Sequence, residues 1–199
     1  MSGVLPPLPA DEWGDAEYEA FGTLLGIPGE KVPRAGSGHR FDPLDFDVVG
    51  VLVRHPELAK AFLGFNGYLL QRSELPARLR ELVVLRVAHR QQSAYEWAEH
   101  VRAAVEIGIT ADEIDRLVAG NEGFAGDDLL VLDAADEMLT TGRLAPASWE
   151  QLRRRLGTHQ AMEVQFVIGT YQMLAALLTT WGLVPPPGAA PLPPPPHDQ

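Results

Sequence analysis

Not one of the 199 residues is a cysteine, which removes disulfides, thiolate metal sites and thiol nucleophiles together. Positive charge is scarce as well: 16 Lys and Arg stand against 27 Asp and Glu, a formal net charge of −11. Nucleic-acid grooves and anionic membrane surfaces require clustered Lys and Arg, so neither is expected as the main partner. The short run Arg153–Arg155 does not reverse that balance. An anionic small substrate stays possible, because one local Arg outweighs distant charge. Long uncharged apolar runs are also missing. The nearest, Val164–Trp181, is interrupted by Gln165, Gln172 and several Gly, Thr and Tyr residues, short of the roughly 18 apolar residues that a span needs. MSGVLPPLPADEWG carries no basic segment ahead of an apolar one, so no signal peptide is expected and the reading is cytoplasmic. HExxH and glycine-rich phosphate loops are both missing; no metal, nucleotide, flavin or other cofactor is expected.

What is present is a soluble composition, 46% hydrophobic with mixed charge, and length enough for one sizeable core. Residues 1–41 are rich in Pro and Gly and read as an arm with a helical candidate at Ala10–Leu25. From Asp42 the pattern turns helical, and Pro56 opens a new helix with His55 as a structural residue before it. Gly64 and Gly67 are expected to loosen that helix. After the central stretch, Gly108 caps one helix and Thr110-Ala-Asp-Glu113 is a capping box that starts the next, which Gly120 ends. Asp127 or Asp128 can cap a helix that Gly142 stops. A short helix follows from Pro146 to Gly157, and then a long apolar one over about Thr158–Trp181. Residues 185–199 are proline-rich and cannot continue a helix, so they are expected to be extended or disordered. No strand alternation is convincing. The expected fold is an all-α helical bundle over 42–184.

The chemistry concentrates in Pro76–His100, PARLRELVVLRVAHRQQSAYEWAEH. Leu79, Leu82, Val83 and Val87 recur as a buried stripe, with Glu81 beside it. A second helix begins near Ser93, which favours an N-cap, and Trp97, Val101, Ala104 and Val105 form its apolar face. Ser93, Glu96 and His100 then share one stripe, with Glu96 one turn below His100. A carboxylate there would raise the imidazole pKa and fix its tautomer, as proton transfer requires. A hairpin across Arg90–Gln92 would bring Glu81 to the same space, although Glu81 can equally pair with Arg78 or Arg86 on its own helix. Tyr95 offers a phenol, and Arg86 or Arg90 a cation for a carboxylate. Trp97 serves the core or lines a pocket. His89 is either a second site histidine or a helix C-terminal residue favoured by the macrodipole.

These residues, from Arg80 to Leu117 and continuing through LLVLDAADEMLTTGRL and QFVIGTYQMLAALL, resemble the carboxymuconolactone decarboxylase / AhpD-like superfamily. The resemblance implies an AhpD-like bundle assembled as a homo-oligomer, a trimer, a hexamer or a related form. In the peroxidase branch a Glu is followed by a Cys-x-x-Cys pair and a His. Here Glu81 and His100 match, whereas the thiol positions hold Ser93 and Glu96. Serine forms no sulfenic acid, so thiol peroxidase activity is not expected. The decarboxylase branch has Glu and His at the positions of Glu96 and His100, and Tyr95 departs from its usual His.

The function this implies is a cofactor-independent lyase working by acid/base chemistry on a small carboxylated or lactone-containing substrate. Glu81, Tyr95, Glu96 and His100 are the candidate catalytic residues, and Ser93, Trp97, Arg86 and His89 the candidate substrate contacts. Two alternatives stay open: a non-catalytic ligand-binding or structural helical oligomer, and an isomerase or hydrolase on the same scaffold.

Overall fold

The computed structural model describes residues 4–195. The first three residues of the expected arm and the last four of the expected tail lie outside the described residues. Among the described residues there are eight α-helices and no strand, so the all-α expectation holds. Two compact units are distinguished. One comprises the chain up to Arg72 with Thr180–Leu183; the other comprises Ser73–Thr179 with the residues from Val184 on.

In the first unit, α1 (Asp15–Leu25) packs on α3 (Pro56–Gln71), and the short α2 (Asp47–Leu52) lies between them in sequence. The candidate helix from Ala10 is broken: Ala10–Glu12 is a 3-10 turn, and α1 starts only after Gly14, where the Glu17 side chain accepts from the Gly14 N–H. Trp13, Tyr18, Phe21, Val49 and Leu63 fill the core here. Gly67 does not loosen α3. A Cβ there would lie 2.9 Å from the Leu24 carbonyl oxygen, so the missing side chain lets α1 approach. His55 caps α3, its Nδ1 accepting from the Leu58 N–H at 3.4 Å.

The second unit is organised around α4 (Ala77–Arg90), in which every residue from Glu81 to His89 is buried. A helix buried on all sides must be enclosed by others. α5 (Ala94–Glu106), α6 (Ala111–Ala119) and α7 (Gly126–Thr141) supply that enclosure. Leu82, Leu85, Trp97, Ala104, Ile109, Leu117 and Leu132 form its core, each leucine contributing about 1.5–3 kcal/mol by burial. Gln92, at φ 53°, turns the chain between α4 and α5. The capping box is formed as expected: Thr110 Oγ1 accepts from the Glu113 N–H, and Glu113 accepts from the Thr110 N–H at 2.9 Å. At α7 the expectation fails, since the N-cap is Ala125 and Asp127 and Asp128 fall in the first turn. There their charge favours the helix dipole, and Asp128 also binds Arg78.

α8 (Pro146–Trp181) is continuous except at Gly157, whose φ of 84° and ψ of 166° mark the expected break between two helices. By length and composition this helix is apolar enough to cross a membrane, contrary to the sequence reading. Some 56% of its most apolar window is buried inside the protein, which a core helix also achieves. Beyond it the chain runs without helix to Pro195. Leu192 rests on the core of the second unit, and the Pro194 carbonyl meets His89.

Candidate functional site

The α4–α5 hairpin brings Glu81 across to His100. His100 Nδ1 lies 2.7 Å from Glu81 Oε2, with the Glu81 side chain 3% and the His100 side chain 15% exposed. Burial pushes the Glu81 carboxyl up, but the charge and hydrogen bond of His100, together with Arg80 at 3.2 Å, outweigh it and hold Glu81 below its ordinary value. With Glu81 ionised, the Nδ1 proton donates to it. Nε2 is left as the nitrogen that takes or returns a proton.

This corrects the sequence reading in two ways. The carboxylate that orients His100 is Glu81 from the neighbouring helix, not Glu96 one turn away. Glu81 pairs with Arg80 rather than with Arg78 or Arg86. Arg78 instead binds Asp128 at 2.7 Å and Glu113 at 2.6 Å.

Glu96 is in a different state. It is 3% exposed, and neither carboxyl oxygen has a hydrogen-bond partner. Burial pushes its pKa up to about 8, offset only in part by the neighbouring Ser93 hydroxyl. It is therefore a neutral acid at neutral pH. Ser93 occupies the N-cap position of α5 but makes no side-chain cap. Its buried Oγ also lacks a partner, so the expected capping role does not hold.

Tyr171 on α8 is the site residue that sequence reasoning missed. It is 3% exposed and stands edge-on to the His100 ring, with centroids 4.9 Å apart. Burial, then the charges of Glu81 and Glu96, push its phenol far above the usual range. Glu81, His100 and Tyr171 therefore form one cluster through the Glu81–His100 hydrogen bond and the His100–Tyr171 ring contact. The only signal in the sequence was a lone tyrosine on an otherwise apolar helical face. Tyr95, the phenol named from sequence, is buried, and its charge is felt by Arg102.

The remaining candidates are engaged elsewhere. Arg86 is 1% exposed and donates to Gly120 O at 3.0 Å, Asn121 Oδ1 at 2.5 Å and Asp136 Oδ2 at 3.3 Å. Arg90 joins it on Asp136 at 2.9 Å. His89 Nε2 meets the Pro194 carbonyl oxygen at 2.9 Å, and burial lowers the His89 pKa. Trp97 is 2% exposed, belongs to the core and lies 5.9 Å from the His89 ring. None of these is brought to His100. Two open clefts lie outside the cluster: one of about 540 Å³ at Glu150, Arg154 and Arg155, the other of about 690 Å³ at Glu19, Gly26, Gln71 and Arg72.

Comparison with known proteins agrees with this arrangement of elements. Residues 56–137, which contain the whole α4–α5 hairpin, match the model of the Carboxymuconolactone decarboxylase family. No curated protein matches the chain. Among solved structures, an uncharacterized peroxidase-related protein from Silicibacter sp. TM1040 superposes with a TM-score of 0.64 at 19% identity, covering 71% of this chain and 76% of its own. A protein of unknown function from Agrobacterium tumefaciens, described as a candidate antioxidant defence protein AhpD, gives 0.58 at 21% identity, covering 67% and 93%. Such identities establish the fold. The family match covers the hairpin and less than half of the chain, and the two solved structures share the helical fold around it.

Proposed function

We propose that the protein is a cofactor-independent lyase of the carboxymuconolactone decarboxylase type, acting by acid/base chemistry on a small carboxylated or lactone-containing molecule. The observation that carries this reading is the buried 2.7 Å contact between Glu81 and His100. An imidazole held in one tautomer by an ionised carboxylate is equipped to move a proton at its other nitrogen. Loss of carbon dioxide leaves the bonding electron pair on carbon, and a conjugated carbonyl in the substrate accepts it as an enolate. His100, protonated from solvent, delivers that proton to the carbon. Glu81 stabilises the imidazolium form in between. Thiol peroxidase chemistry is not part of the proposal, since positions 93 and 96 carry Ser and Glu.

The proposed assembly is a homo-oligomer. Met162, Phe166 and Met173 lie exposed along one face of α8, and a second copy of the chain is the partner proposed to cover them. Light scattering on the purified chain tests this; a monomer at micromolar concentration refutes it.

Turnover against a panel of β-keto acids, unsaturated lactones and muconolactone-like acids tests the reaction. His100→Ala is expected to lower kcat about 10²–10⁴-fold per folded molecule. Unchanged turnover would remove His100 from the chemistry. It would then favour a ligand-binding role, for which the 690 Å³ cleft lined by α1 and α3 is one open site.

A further inference from the structure

The proline-rich end of the chain, extended or disordered by composition, is built into the second unit. Pro186-Pro187-Gly188-Ala189 forms a turn, in which the Ala189 N–H donates to the Pro186 carbonyl at 3.1 Å and Gly188 takes a φ of 79°. Proline at the second position and glycine at positive φ in the third are what a type II turn demands, so this reversal is written in the sequence. The turn precedes Pro191–Pro195, which meets the corner between α4 and α5. Leu192 packs against the core that contains Trp97. His89 Nε2 lies 2.9 Å from the Pro194 carbonyl oxygen, and Gln92 Nε2 donates to the Pro193 carbonyl at 3.4 Å and to the His89 carbonyl at 2.7 Å. A carbonyl only accepts, so His89 carries a proton on Nε2.

We infer that this α4–α5 corner is a binding site for a proline-rich segment with a leucine ahead of its proline run, and that the chain's own residues 191–195 fill it. Proline has no N–H, so the backbone of residues 193–195 offers carbonyls and nothing that donates. Side chains that donate are the complement of such a segment, and His89 and Gln92 supply two to consecutive carbonyls. Fixed proline φ leaves little freedom to lose on docking, and Leu192 provides the apolar anchor. Gln92 stands at φ 53°, in the left-handed region where Gly and Asn are at home. Glutamine there adds the reach that both carbonyls need. The donors read backbone, so a segment of the same pattern from another protein fits the corner once the tail has left it. The short link from α8 holds the tail at an effective concentration in roughly the millimolar range, which closes the site to weaker outside segments until release. None of His89, Gln92 and Leu192 takes part in the proton transfer at His100, so this site stands apart from the lyase reading.

The probe is a fluorescein-labelled peptide with the sequence of residues 188–199, GAAPLPPPPHDQ, followed by fluorescence anisotropy. Leu192→Asp in the full chain puts a charge where the anchor packs and should release the tail. That variant is expected to bind the peptide at least about tenfold more tightly than wild type, whose site is filled. In the Leu192→Asp background, His89→Phe keeps a ring without a donor and should weaken peptide binding about tenfold. Gln92→Asn keeps the turn but shortens the reach, and should weaken it several-fold. A peptide with aspartate in place of its leucine should not bind. Release itself is read separately. Because the chain has no cysteine, Pro195→Cys takes a single nitroxide, whose spectrum should be immobilised in the parent chain and mobile after Leu192→Asp. The inference is overturned if the nitroxide is mobile in the parent chain, if Leu192→Asp leaves it immobilised, or if the released variant binds no peptide. A nitroxide freed by dilution alone would put a second copy's tail in the site and overturn the intramolecular assignment.

Discussion

Two buried polar clusters flank α4, and they treat their hydrogen-bonding capacity in opposite ways. Around Arg86, nearly every group binds another protein group. Arg86 meets Asp136, Asn121 and the Gly120 carbonyl, Asn121 donates to Asp133 at 2.7 Å and Asp136 at 3.2 Å, and Arg90 closes the set. Only Arg86 Nε remains without a partner. Around Glu81, pairs are formed with His100 and Arg80, while the carboxyl of Glu96 and the hydroxyl of Ser93 are left unbonded. The first cluster ties the loop after α6 and helix α7 to α4. The second leaves the Glu96 carboxyl oxygens and the Ser93 hydroxyl without a protein partner. Burial and charge are common to both, so the distinguishing property is whether the polar atoms are already satisfied.

Removing a member of the paired cluster should have the largest effect on stability. Arg86→Ala leaves Asp136, Asn121 and the Gly120 carbonyl short of a buried partner, and should cost about 3–5 kcal/mol in urea unfolding. Turnover per folded molecule should be unchanged. A variant that folds normally but loses turnover would return Arg86 to the substrate and erase the contrast between the clusters.

The unpaired cluster should show the reverse behaviour, gaining stability when its polar group is made permanently neutral. Between the ordinary carboxyl value of 4.5 and about 8, the native chain holds a proton on Glu96 that the unfolded chain has released. Stability of the wild type therefore falls as pH rises through that window and is lowest above it. Glu96→Gln removes this dependence. At pH 9 the variant should be more stable than wild type by roughly 2–4 kcal/mol, and at pH 4 by close to nothing. Urea midpoints at the two pH values provide the measurement. Equal midpoints at pH 9 would mean that Glu96 finds a charged partner or solvent in solution.

Glu81 carries the opposite sign. Its native pKa is held down, so the contribution of the His100 pair is present above the unfolded carboxyl value and is lost as pH falls through the depressed native one. Glu81→Gln should lower turnover by about 10–10²-fold, a loss of roughly 1–3 kcal/mol in transition-state stabilisation. It should also remove the acid-side loss of stability. A turnover profile matching wild type at every pH would show that His100 needs no orienting carboxylate.

Much of this arrangement was legible in the sequence. Gly120, Gly142 and Gly157 stop helices where their spacing said they would, the Thr110–Glu113 box is formed, and Glu81 and His100 meet across the hairpin. What was not legible depends on directions that spacing does not encode. Glu96 and His100 are neighbours along α5, yet the partner that His100 takes is set by how α4 packs against α5. Arg86 points to the α6–α7 loop because Asp136 and Asn121 are there, a fact of tertiary structure alone. Tyr171 reaches His100 from a helix far along the chain. His89 is met by a carbonyl of the proline-rich segment, which composition alone left without any contact.

The smallest effect sharpens the comparison at single hydroxyls. Thr110 and Ser93 both occupy N-cap positions, and sequence treats them alike. Thr110 Oγ1 accepts from the Glu113 N–H at 3.3 Å and sits 2.9 Å from the Glu113 carboxylate, whereas Ser93 Oγ caps nothing. Thr110→Ala should therefore cost about 1 kcal/mol, the usual value of a cap. Ser93→Ala removes a buried hydroxyl that has no partner to lose, so its cost should fall within a few tenths of a kcal/mol of zero, or the change should stabilise. Paired thermal melts of the two variants at one pH decide the matter. A Ser93→Ala loss as large as that of Thr110→Ala would mean that the Ser93 hydroxyl is a structural cap in solution, and the unpaired cluster would shrink to Glu96 alone.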